Sequence, residues 1–202
     1  MDPSPDGEGA AGEDRARAGY YALLARLYYS GPDAALLGTI AGADEIAHDP
    51  GSGLAGAWNA LVAAAGAMDA EAARLEHDEV FVGVGKADVT PYASYYLSET
   101  GREKILVRLR QQLAEMGLAR AGSAREPEDH FAGLFEVMRH LISDSDDAAL
   151  QKQKRFFAQF IAPAYAPFCN AISECPNANF YKHVARFSRH FLDIESECIK
   201  VF

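Results

Sequence analysis

The sequence predicts an all-α protein, a single compact bundle of about eight to ten helices joined by short connections and without significant sheet. Three observations predict it. Apolar residues recur at three- and four-residue steps through most of the chain, the period of a core-facing helix stripe. Capping residues and Gly/Pro breaks separate these stripes. No segment of four or more residues alternates strictly between apolar and polar, as a half-buried strand does.

The first helix is expected from Glu13, with Tyr20, Leu23, Leu24, Leu27 and Tyr28 on one face, ending at Ser30-Gly31-Pro32. A second spans Asp33 to Ala47 and carries Leu36, Leu37 and Ile40, weakened by Gly38 and Gly42. His48 to Gly53 reads as a loop by composition. An alanine-rich third helix covers Leu54–Met68, and Asp69 caps a fourth over Ala70–Phe81. Thr90-Pro91 then stops the helical pattern ahead of Tyr92, Tyr95 and Tyr96. A fifth helix runs over Gly101–Met116 with Ile105, Leu109, Leu113 and Met116 inward. The Glu126-Pro127 stretch opens a sixth, since proline suits a first turn and Glu126, Glu128 and Asp129 complement the helix dipole. Its stripe is Phe131, Leu134, Phe135, Met138, Leu141 and Ile142, and Asp144 to Asp147 breaks it and can cap the next helix. Leu150–Phe168 is helical but must kink or divide at Pro163 and Pro167. The last helix follows Pro176, with Asn177 or Asn179 as cap and Phe180, Val184, Phe187, Phe191 and Ile194 inward.

A chain of 202 residues with 49% hydrophobic and 24% charged residues is ordinary for one soluble domain. Residues 1–14, rich in Gly, Asp, Pro and Ala, are expected as a disordered tail, and 15–202 as the helical domain. A formal net charge of −10 argues against nonspecific nucleic-acid binding, which needs a basic surface, and leaves open a basic peptide or cationic patch as partner, although solubility alone accounts for it. The odd set Cys169, Cys175 and Cys198 fits a reducing compartment. No run approaches the roughly 18 apolar residues of a membrane helix, so stable membrane insertion is not expected. The expectation is a cytoplasmic protein, monomer or homodimer.

The chemistry is sparse. Six histidines invite a metal search, but no Glu-x-x-His pair repeats across helices. His183 and His190 fall beside Arg186 and Arg189 on what reads as a solvated face. Gly83-Val84-Gly85 lacks the third glycine, the preceding strand and the lysine-serine pair of a phosphate loop. Neither a Gly-x-Ser-x-Gly elbow nor a partnered cysteine appears. The expectation is therefore no enzyme, no metal and no cofactor, with a metal or enzymatic site on His77, Asp78 and His130, or nucleotide binding, as the alternative. The best polar constellation is Asp129-His130. Carboxylates of Glu126, Asp129 and Glu136 can take charge-assisted hydrogen bonds from a ligand arginine. The tyrosines offer amphipathic area as core lids or as peptide anchors.

Pro91-Tyr92-Ala93-Ser94-Tyr95-Tyr96, then Glu126-Pro127-Glu128-Asp129-His130 with its apolar stripe, then Gln159-Phe160-Ile161 and Phe180-Tyr181 resemble the TorD/DmsD family. The likeness runs from about Tyr20 to Glu195 and rests on the two Pro-containing elements together, which are more specific than either alone. It implies an all-helical cytoplasmic chaperone that binds the twin-arginine signal peptide of a molybdenum-cofactor oxidoreductase until cofactor is inserted. Carried onto this chain, the family's hinge pair is Asp129 and His130, and its aromatic-serine loop is Tyr92, Ser94 and Tyr95. Upstream, Phe81 and Gly83 fit the family pattern, whereas Asp78 stands where relatives carry tyrosine, in the region where client preference should differ.

Overall fold

The computed structural model describes residues 5–47, 53–83, 85–98, 101–122, 125–144 and 148–201. Ten α-helices and two π-helical turns make up its regular structure, and the described residues contain no strand. The expected all-α bundle is the observed fold. The expectations for His48–Ser52, Val84 and Ser145–Asp147 lie outside the described residues.

α1 (Pro5–Tyr29) reaches back into the stretch expected as a tail, with proline at the position where a missing N–H costs no helical bond. α2 (Ala34–Ala41) is shorter than expected. Asp33 caps it by accepting the Leu36 N–H at 2.7 Å, and Gly42 ends it. α3 (Gly53–Ala67) and α4 (Ala70–His77) follow, the second capped by Asp69 through the N–H groups of Glu71 and Ala72. The chain then widens into a π-helical turn over Asp78–Val82, which Gly83 closes at φ +64°. A Cβ on Gly83 would meet the Lys86 carbonyl, so glycine is required there on two counts.

After α5 (Ala93–Leu97) and α6 (Arg102–Glu115), α7 starts at Phe131 and runs to Ser143. The Glu126-Pro127 turn is therefore outside the helix, against expectation. His130 is extended at ψ 133°, because its segment pairs with Tyr92 in an isolated antiparallel bridge. α8 (Ala149–Phe156) passes through a second π-helical turn (Phe157–Ile161), and the break before α9 (Tyr165–Glu174) holds Pro163. Pro167 sits in the first turn of α9, where its absent donor is tolerated.

α10 (Phe180–Val201) is capped from a distance. The expected caps, Asn177 and Asn179, do not supply it. Glu76 on α4 accepts the N–H groups of Asn179, Phe180 and Tyr181 at 2.7, 3.1 and 2.8 Å. Asn177 is turned to Asp88 instead.

α1 packs along α7, while α10 lies against α3 and α9. Their shared core is aromatic. Phe131 and Phe168 stack with ring centroids 4.1 Å apart, and Tyr28, Phe81, Phe135 and Tyr181 close around them. Glu195 is buried on α10 and tied to α1 by Arg17 at 2.7 Å and the Tyr21 hydroxyl at 3.0 Å. His183 and His190 are half-buried rather than on the solvated face expected. Among the described residues no helix is long and apolar enough to cross a membrane.

Candidate functional site

The two motifs expected to act together are joined through their backbones. Ala93 donates its N–H to the Asp129 carbonyl at 2.9 Å, and Phe131 donates to the Pro91 carbonyl at 3.0 Å. Proline at position 91 keeps this segment out of helix, which leaves its carbonyl free to accept. The pairing places Tyr92 beside His130, with ring centroids 5.3 Å apart and near-perpendicular planes.

Asp129 and His130, the favoured recognition pair, each serve a helix start. The Asp129 carboxylate is buried and accepts the Ser94 N–H at 3.4 Å, in the first turn of α5. His130 accepts the Ala132 N–H on Nδ1 at 3.2 Å and so caps α7. With Nδ1 accepting, the neutral ring carries its proton on Nε2. That Nε2–H has no partner among the described residues although His130 is only 5% exposed. Burial holds the imidazole pKa down to about 4, with the nearby Glu126 carboxylate opposing the shift and His77 adding to it. The ring is neutral at pH 7.

Glu126 accepts the Tyr92 hydroxyl on Oε2 at 2.5 Å, and its Oε1 is without a partner among the described residues. Burial, with the hydrogen bond to Glu126, raises the Tyr92 hydroxyl well above the ordinary tyrosine range. Glu128 is held by Arg110 through two hydrogen bonds of 3.1 and 3.0 Å, which lower its pKa against the opposing effect of burial.

Two cavities meet at this junction. The larger, about 720 Å³, runs between the end of α1, the start of α2, the end of α6 and the exposed side of α7. Leu36, Leu113, Leu118 and Val137 give it an apolar floor, and Asp33, Glu126, Glu128 and Glu136 lie among its lining residues. Arg26, Arg120 and Arg139 line it as well, and Arg139 pairs with Glu136 at 2.8 Å. The smaller cavity, about 240 Å³, is walled by Tyr28, Tyr29, His77, Phe81, Tyr92 and His130, with Glu126 among its lining residues. Tyr29, Glu126 and His130 belong to both.

Of the expected site residues, Tyr92, Glu126 and His130 come together at the junction, and Glu136 lines the larger cavity. Asp129 and Ser94 lie buried beneath and line neither cavity. Tyr95 is exposed and stacked under the Arg102 guanidinium, 4.6 Å from its ring centre, away from both. Tyr29 was not among the expected residues. Its place at the end of the α1 stripe, just before Ser30-Gly31-Pro32, marks only a helix end in the sequence. Gly31 allows that end to approach α4, since a Cβ there would meet the Arg74 Cα at 2.6 Å. Among the described residues no group of three or more His, Cys, Asp or Glu side chains could hold a metal ion.

Comparison with known proteins adds a separate line. The family model described as nitrate reductase delta subunit matches residues 48–170, which include both Pro-containing elements and α7. The chain is 26% identical over 127 residues to a protein named chaperone protein TorD from Shewanella loihica, an alignment covering 59% of each chain. It is 28% identical over 153 residues to the chaperone protein TorD of Shewanella pealeana, covering 69% of this chain and 68% of that one.

Proposed function

The chain belongs to the nitrate reductase delta subunit family, and we propose that it is a maturation chaperone for a molybdenum-cofactor oxidoreductase. In this reading it binds the basic, apolar signal peptide of the enzyme precursor and holds the precursor in the cytoplasm until cofactor has been inserted. It needs no catalytic group of its own, and the two most conspicuous titratable residues serve as helix caps rather than as an acid–base pair.

The observation that carries the reading is the open 720 Å³ cavity. Its apolar floor suits the h-region of a leader, a stretch of roughly 7–15 apolar residues behind a positively charged n-region. Glu126, whose Oε1 has no partner among the described residues, suits the charge that precedes that stretch. The two relatives are named as chaperones, which supports the same role.

Titration calorimetry with a synthetic leader peptide tests the proposal. Two adjacent arginines followed by an apolar run should bind, and a peptide with the apolar run replaced by Ser and Gly should not. Val137→Lys, which puts a charge on the cavity floor, should weaken binding at least tenfold. Equal affinity for both peptides would sink the proposal.

A further inference from the structure

The smaller cavity differs in character from the larger one. Its walls are rings: Tyr29 and Tyr92 stand at 75° and 83° to the His130 plane, with centroids 6.3 and 5.3 Å away, and Phe81 and His77 close the inner side. Aromatic faces of this kind attract cations, and most strongly where water is excluded. Phe81 and Val82 reach this wall from the π-helical turn, which re-aims the chain after α4.

The polar groups left over at this box form a complementary pair. Glu126 has one carboxylate oxygen committed to Tyr92 and the other unpartnered among the described residues. His130 has a buried Nε2–H in the same condition. One is an acceptor able to take charge-assisted hydrogen bonds, and the other is a donor able to take a carbonyl. Tyr29, exposed by 48%, stands at the rim, so a side chain can enter from the larger cavity.

Building on the signal-peptide reading, we propose that the smaller cavity is a dedicated arginine box. One arginine of the bound peptide inserts its guanidinium between the Tyr29 and Tyr92 rings and onto Glu126, and a peptide carbonyl accepts the His130 Nε2–H. The apolar run of the same peptide stays in the larger cavity. The wall shared by the two cavities then sets the register between charge and apolar run. Lysine fits this box less well, because a compact ammonium neither stacks on tyrosine as a plane nor forks onto a carboxylate.

The test is a citrulline scan. Citrulline keeps the planar head of arginine and removes its charge. Peptides with two adjacent arginines and an apolar run are made with each arginine in turn replaced by citrulline or lysine, and titrated into wild-type, Glu126→Gln and Tyr29→Leu proteins. One citrulline position should weaken wild-type binding about tenfold, and the same change should cost less than twofold in Glu126→Gln. Tyr29→Leu, a surface change that leaves the core alone, should narrow the preference for arginine over lysine. If citrulline costs the same factor in wild type and Glu126→Gln, the arginine is read elsewhere, and the box is overturned while signal-peptide binding stands. If wild type binds none of the peptides, the signal-peptide reading fails and the box fails with it.

Discussion

His130 holds its position by accepting a backbone hydrogen bond on a ring that burial keeps neutral, and this gives it a pH signature. Its folded pKa of about 4 lies below the ordinary value of 6.5. The unfolded chain therefore takes up the proton first, and stability falls as pH drops from about 6.5 towards 4. The shift corresponds to about 3 kcal/mol across that window. His130→Asn retains a capping side chain without the titration, so urea unfolding at pH 7 and pH 4.5 should show a smaller loss for the variant than for wild type. Parallel losses in the two proteins would remove His130 as the source. Glu76 gives a second residue-scale expectation. It satisfies three first-turn donors of α10, and Glu76→Ala should cost about 1–2 kcal/mol in the same measurement. Glu76 could not be read from the sequence in this role, because it lies 103 residues from the first N–H it caps. Asp69, by contrast, caps the helix that follows it directly and was legible for that reason.

At the scale of elements, the apolar stripes located most helices to within a few residues, as with α3, α6 and α10. Periodicity is a local property and survives whatever the helix packs against. The start of α7 escaped it. Acidic residues and a proline ahead of an apolar stripe read as a first turn, but the bridge to Tyr92 holds that segment extended until Phe131. The tie between α1 and α10 is likewise tertiary. Arg17 reaches the buried Glu195 through two hydrogen bonds, and Tyr21 adds a third. Arg17→Ala should cost about 3 kcal/mol, because it strands a carboxylate in the core. Joint replacement by Arg17→Met and Glu195→Leu should cost less than the single change, and thermal unfolding of the two variants distinguishes a stranded charge from lost packing.

For the whole molecule, the cavity that carries the functional proposal is assembled from parts of α1, α2, α6 and α7 and from the turn before α7. A peptide bound there stabilises the native state by mass action, about 2.7 kcal/mol at a hundredfold excess over Kd. Calorimetric scans with leader peptide at that excess should raise Tm by roughly 5–10 °C. The same peptide at the same concentration should raise the Tm of Val137→Lys by about half as much or less, since a tenfold-weaker site retains about half of that stabilisation. An equal rise in both proteins would place binding outside this cavity. The sequence by itself determined the helical class, the positions of most helices and the two motifs that meet at the site, because hydrophobic period, capping and proline geometry act over a few residues. Only the tertiary structure decided which motif residues face a ligand. Asp129 turned inward to serve α5, Glu126 kept one free carboxylate oxygen, and Tyr29 arrived from the far end of α1. The reason is that burial and hydrogen-bond partners depend on segments distant in the chain, and no local pattern records which atoms those partners leave unpaired.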